Sequence, residues 1–206
     1  MKLACFAGSM EYTTVKTKGN VQANVILNSQ VSADQKVTLT GKKGLIAGGS
    51  VHGMLGISCI TAGNMSEIRT GLHVGLKQET MEQRIDVNER YSKVNQELED
   101  TVASMAKIMR VRQQSGELSE PLQKHLVELK RRKDEIYTRC MEIKKEANAM
   151  ESMVLAAREA KIRVEGNIYH GVVISIDNHD MVINRDTSFM EYQCQNGIIT
   201  GTVVVV

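Results

Sequence analysis

The feature that most constrains this chain is a change of period partway along it. Between Leu122 and Ala157, Leu122, Leu129, Ile136, Ile143, Met150 and Ala157 stand seven apart, interleaved with Leu126, Lys133, Cys140, Ala147, Val154 and Lys161. A seven-residue repeat sustained over that length fits a helix with an apolar seam against another helix, and it fits no strand. Upstream, Tyr91, Leu98 and Met105 form one column of the same kind, and Val102 and Met109 are assigned to the second, interrupted by Asn95. The expected seam residues are Leu98, Val102, Met105, Leu122, Leu126, Leu129, Ile136, Ile143, Met150 and Val154. Polar Asn95 and Lys133 would cost stability there while fixing register. In the link between the two periodic stretches, Gly116 is placed to stop one helix, Ser119 to cap the next, and Pro121 falls in its first turn, where a missing N–H costs nothing. So short a link requires an antiparallel hairpin.

Before the hairpin the spacing is that of strands. Val25, Val31 and Val37, then Leu45, Val51 and Ile57, are each six apart. In Val21-Gln22-Ala23, Val31-Ser32-Ala33 and Val51-His52-Gly53 a small residue follows two after a β-branched one, on the same strand face. Glycines crowd from Gly41 to Gly63, including Gly41, Gly44, Gly48 and Gly49, and mark corners. Sextets grouped into turns of roughly 18–20 residues predict a β-solenoid of about three coils, each covering the apolar edge of the next. After the hairpin, Ile162, Val164, Ile168, Val172, Ile174 and Ile176 resume the strand pattern, Asp177 to Asp180 read as a turn, and the Val-rich end from Val203 to Val206 must dock to avoid an exposed edge. The fold class is α+β, with a solenoid over residues 1–78, an antiparallel coiled-coil hairpin inserted at 79–161, and closing strands at 162–206 that pack back on the solenoid.

The chemistry available is sparse. With two Phe, five Tyr and no Trp, surfaces that stack bases or sugars are poorly supplied. Cys5, Cys59, Cys140 and Cys194 form no C-x-x-C pair and have no histidine at finger spacing, which reads as free thiols in a reducing cytoplasm. Met1 to Cys5 lacks the apolar stretch of a signal peptide, so the expected location is cytoplasmic, with a peripheral place at the inner membrane left open. The five histidines lie in separate segments; His52 and Cys59 nominate two ligands where a metal needs three or four. Only Glu11, Asp34 and Glu67 are acidic before residue 79, too few to nominate the carboxylate pair of a sugar-cleaving enzyme. No catalytic, cofactor or metal residue is therefore expected. Against those three carboxylates stand Lys2, Lys16, Lys18, Lys36, Lys42, Lys43, Arg69 and Lys77. That excess makes Lys42 and Lys43 the candidate anion contacts, although Gly41-Lys42-Lys43-Gly44 lacks phosphate-loop spacing.

The ordered motifs Asn28 to Ala33, Gly41 to Gly49, Thr70-Gly71-Leu72-His73-Val74-Gly75, then a helical hairpin and Gly166 to Val172 with Gly171, resemble the C-terminal part of bacterial flagellar assembly protein A-like proteins. The likeness covers about residues 20–185. It implies a right-handed β-helix with a long coiled-coil hairpin and closing strands, family-motif turns at Gly41, Gly44, Gly48, Gly49, Gly71, Gly75 and Gly171, and a link to flagellar assembly or cell-surface processes. Position 53 departs from the pattern, with Gly53 where an alanine-like residue is expected. The expected function is a non-enzymatic scaffold that binds a protein partner or itself, without a small-molecule substrate. The alternative is an anion-binding module that docks on nucleic acid or anionic membrane through the basic β segment.

Overall fold

The computed structural model describes residues 4–204. Lys2, Val205 and Val206 from the expectations above lie outside the described residues. The strands are β1 (Ala4–Glu11), β2 (Thr14–Thr17), β3 (Asn20–Ala33), β4 (Lys36–Leu39), β5 (Leu45–Gly53), β6 (Gly56–Cys59), β7 (Thr61–Ala62) and β8 (Thr70–Val74). The helices α1 (Gln78–Ser115) and α2 (Glu120–Arg158) follow, and then β9 (Ile162–Ile168), β10 (Val173–Ile176), β11 (His179–Val182), β12 (Thr187–Gln195) and β13 (Ile198–Val203). Two compact units result, one of residues 1–77 with 154–206 and one of 78–153.

The β unit is a solenoid whose interior is three parallel columns in register. The first runs Cys5, Val21, Val37, Ile57, Ile162, the second Met10, Ile26, Ile46, Ala62, Ile168, and the third Val15, Val31, Val51, Leu72, Ile174. Every column residue from the second turn onward is almost completely buried. About four turns lie before the helices, one more than expected, and residues 162–176 lay a further course on the last of them. Along a turn the step is five residues on the flanks (Val21, Ile26, Val31) and six at one corner (Val31 to Val37). The spacing by six was thus one corner of a longer pattern, and Val25 and Leu45 are only half-buried.

Corners follow from local chemistry. After the second column, Tyr12, Asn28 and Gly48 occupy equivalent places, and all have left-handed backbone, with φ of 49, 46 and 77°. The polar groups released there are met by two buried hydroxyls. Ser29 Oγ accepts from Thr13 N at 3.1 Å and donates to Leu27 O at 2.7 Å, and Thr70 Oγ1 accepts from Gly48 N and donates to Ile68 O, both at 2.8 Å. Burial without those bonds would be costly. Of the glycines assigned to turns, Gly41, Gly44, Gly75 and Gly171 stand at chain reversals or just past a strand with positive φ, and Gly48 and Gly49, also of positive φ, make the corner inside β5. Gly71 departs from the expectation: it is an extended residue inside β8, where a side chain would strike the His73 ring. Gly53 is explained rather than anomalous, because an alanine Cβ there would come 2.5 Å from the Gly56 carbonyl oxygen.

The far end of the solenoid is covered by antiparallel strands, β12 on β9 and β11 on β10. Asp177 and Asn178 make the turn between β10 and β11 with φ of 49 and 63°, the backbone that a tight hairpin needs. The described part of the Val-rich end is held by β12: Val203 pairs with Met190, and Val204 N donates to Phe189 O at 2.7 Å. β13 pairs only with β12 through the Asn196-Gly197 turn, and Val203 is exposed.

In the helical unit the two helices run antiparallel. Ile108 packs with Leu118, Leu126 and Leu129 near the link, and Val94 packs with Ile136 and Cys140 farther along. Gly116, with φ of 79°, ends α1, and its N–H donates to Arg112 O at 3.0 Å. Ser119 occupies the position before α2.

Candidate functional site

The long helices offer the most surface, and the seam decides which side chains face outward. On α2, Leu126, Leu129 and Ile136 are buried, and Leu122, Ile143 and Met150 are half-buried. Val154 is buried but groups with the β unit. On α1, Leu98 and Met105 are half-buried as seam neighbours, but Val102 is not in the seam. The buried column is Val87, Val94, Thr101 and Ile108, three residues rather than four from Tyr91, Leu98 and Met105. Thr101 tolerates that place because its hydroxyl donates to Glu97 O at 2.8 Å. Val102 and Met109 are consequently 47% and 42% exposed, and on α2 Tyr137 and Met141 are exposed as well.

Charges along the helices pair off. Arg132 Nη2 lies 3.0 Å from Glu97 Oε1, Arg139 bonds the other oxygen, and Arg84 and Arg90 reach Glu151 and Glu146 at 2.9 and 3.1 Å. The hydrogen bond from Arg132, with Arg139 beside it, holds the Glu97 carboxyl below its ordinary value. The basic run Lys130 to Lys133 is therefore largely engaged, since Arg131 meets Glu135 at 3.3 Å and Lys133 meets Asp134 at 3.0 Å.

In the β unit the residues suited to chemistry are dispersed. Cys59 is buried beside Val164, and burial pushes its thiol up to about 12, which removes the reactive thiolate. His52 and Cys59 do not converge; the register partners of His52 are Ser32 and His73. His52 Nε2 lies 3.1 Å from Gly75 O, Nδ1 is buried without a partner, and burial, with Lys77 next in effect, lowers its pKa to about 4. Burial lowers His73 too. A cleft of about 190 Å³ between Lys36, Ser58, Lys161 and Arg163 is neutralised by Glu191, 2.9 Å from Lys161, and Glu165, 3.1 Å from Arg163. Lys42 and Lys43 are exposed at the turn between β4 and β5. Among the described residues, no group of three or more His, Cys, Asp or Glu is placed to hold a metal ion.

One cluster was illegible in the sequence. His170 Nδ1 lies 2.8 Å from Asp186 Oδ1 and Nε2 lies 2.9 Å from Glu67 Oε1, so the imidazolium ties three loops together. The Asp186 bond first, and then Glu67, raise the His170 pKa above 6.5, and the same contact lowers Asp186. A raised folded-state pKa means that this tie is complete below pH 6.5 and is lost as pH rises through the folded value. For His52 the sign is opposite: its low folded value removes stability as pH falls from 6.5 toward 4. An NMR titration of the His170 ring is expected to give a midpoint above 6.5 that drops in Asp186→Asn. A midpoint at or below 6.5 in the unaltered chain would contradict the clasp.

Among the described residues, no helix is long and apolar enough to cross a membrane. No curated protein and no solved structure matches the chain. The sequence model of one family does, under the description Flagellar Assembly Protein A beta solenoid domain, over residues 2–199. The match begins well before residue 20, in keeping with the first turn that Cys5, Met10 and Val15 build. With nearly its whole length matched and the solenoid in place, the chain belongs to the flagellar assembly protein A β-solenoid family.

Proposed function

We propose that the chain is a non-enzymatic scaffold in flagellar assembly or cell-surface regulation, in which the solenoid is the platform and the helical hairpin is the element that engages a protein partner. The observation that carries this reading is on the hairpin. Its own seam is filled, yet Val102 and Met109 on α1 and Tyr137 and Met141 on α2 stay exposed, and apolar side chains left over after internal packing suit a partner. The dispersal and engagement of the histidines and thiols support a binding role over catalysis.

Replacing residues 79–153 by a short flexible linker at the native locus tests it. The expected result is loss of motility from a protein that still accumulates and keeps its strand signal in circular dichroism. Unchanged motility without the hairpin would refute the reading. The Lys42→Glu/Lys43→Glu variant is expected to behave as the unaltered chain; loss of function there, with the hairpin dispensable, would favour anion docking instead.

A further inference from the structure

Beside Tyr91, Leu98 and Met105, α1 carries two columns of seven-residue period, and the helix pair uses the one with Val87, Val94, Thr101 and Ile108. The other runs Met81, Asn88, Asn95, Val102, Met109, with Ile85, Ser92, Glu99 and Ala106 four residues beyond its first members. Met81, Ile85, Val102 and Met109 are all exposed. Large apolar residues stand toward the two ends of this face, Met81 and Ile85 at one and Val102 and Met109 at the other, and polar Asn88, Ser92, Asn95 and Glu99 lie between them.

We infer that this face pairs with the same face of a second copy of the chain, the two α1 helices running antiparallel about a twofold axis. The inference rests on the scaffold reading of the hairpin and names the partner. In antiparallel packing, members of one column lie against members of the other across the interface. Setting Ile85 against the partner's Met109 also sets Ser92 against the partner's Val102 and Glu99 against the partner's Asn95, and the twofold repeats each pair. At the centre, Asn95 Nδ2 donates to Glu99 Oε1 at 2.8 Å within one chain, so the same donor and acceptor can exchange across the axis. Charges agree with this register, because Glu82 comes beside the partner's Arg110. A parallel pairing would instead place Glu99 against the partner's Glu99, and like charges there would oppose it. Asparagine inside such a seam fixes register and the number of strands.

Sedimentation equilibrium of the full chain over a range of concentrations tests the pairing. A reversible dimer is expected, and Val102→Glu with Met109→Glu should raise its dissociation constant at least tenfold while helix content stays constant. Glu82→Arg should weaken the dimer, and adding Arg110→Glu should restore it; Met141→Glu, on the other helix, should leave it unchanged. Should the glutamate pair unfold the hairpin, the Ile85→Cys/Met109→Cys variant decides, since oxidation should yield a covalent dimer that the unaltered chain does not form. A monomer at every concentration, a dimer indifferent to Val102→Glu/Met109→Glu, or failure of the cysteine pair to cross-link would overturn the inference. These outcomes are read as mass, so they are separable from the motility result that tests the scaffold role.

Discussion

Gly49→Ala is expected to cost about 3 kcal/mol or more, because left-handed backbone costs an alanine ~1–2 kcal/mol and a forced contact adds ~1–3. Gly49 has φ of 80°, and a Cβ there would stand 2.2 Å from the Ser29 carbonyl oxygen and 2.7 Å from the Ser29 nitrogen. Both atoms belong to the neighbouring turn, which is held in register on both sides of this point, so neither can retreat as a flexible side chain would. Gly171 supplies the control. Its φ is 80° as well, but nothing lies within 4 Å of a Cβ, so Gly171→Ala should lose only about 1 kcal/mol, the conformational share alone. Thermal unfolding separates the two, with a fall of roughly 6–12 °C expected for Gly49→Ala. Equal losses at the two sites would show that the turns are not stacked as closely as the register requires.

In the helical unit, at a concentration where the chain is monomeric, Ile136→Ala is expected to cost about 2 kcal/mol or more, and Val102→Ala to lie within about 0.5 kcal/mol of the unaltered chain. Ile136 is 3% exposed between Val94 and Cys140, so truncation leaves a cavity in the narrow seam between two helices. Val102 is 47% exposed, and alanine is the better helix former, which offsets the little packing that truncation removes. Urea unfolding followed by the helix signal gives both values. The opposite ranking would return Val102 to the seam and displace Val94 and Ile108 from it.

That contrast shows how far the sequence could be read. On α2 one phase carries the heptads, with Lys133 as its polar interruption, and Leu126, Leu129 and Ile136 follow from it. α1 offers two columns beside Tyr91, Leu98 and Met105. The one with Val102 and Met109 contains Asn88 and Asn95, and the one with Val87, Val94 and Ile108 contains Thr101, so their apolar content differs by only one polar residue. The choice depends on the partner helix. The solenoid was legible as stacked strands from Val21 to Ile57, but its step was blurred by insertions. Cys5, Val21 and Val37 stand sixteen apart, whereas Val37 and Ile57 stand twenty apart because the Gly41-Lys42-Lys43-Gly44 turn intervenes. Residues 1–20 carried little signal because their column members, Cys5, Met10 and Val15, share no common type. The His170 clasp was beyond reach, since Glu67 and Asp186 arrive from segments separated by both helices.

Amide hydrogen exchange along the chain tests most directly that the segment after the hairpin completes the solenoid. Ile162, Ile168 and Ile174 prolong the three interior columns and are fully buried, so the amides of residues 162–176 should be protected to the same degree as those of residues 45–53. Rapid exchange over 162–176, with residues 45–53 still protected, would contradict the account.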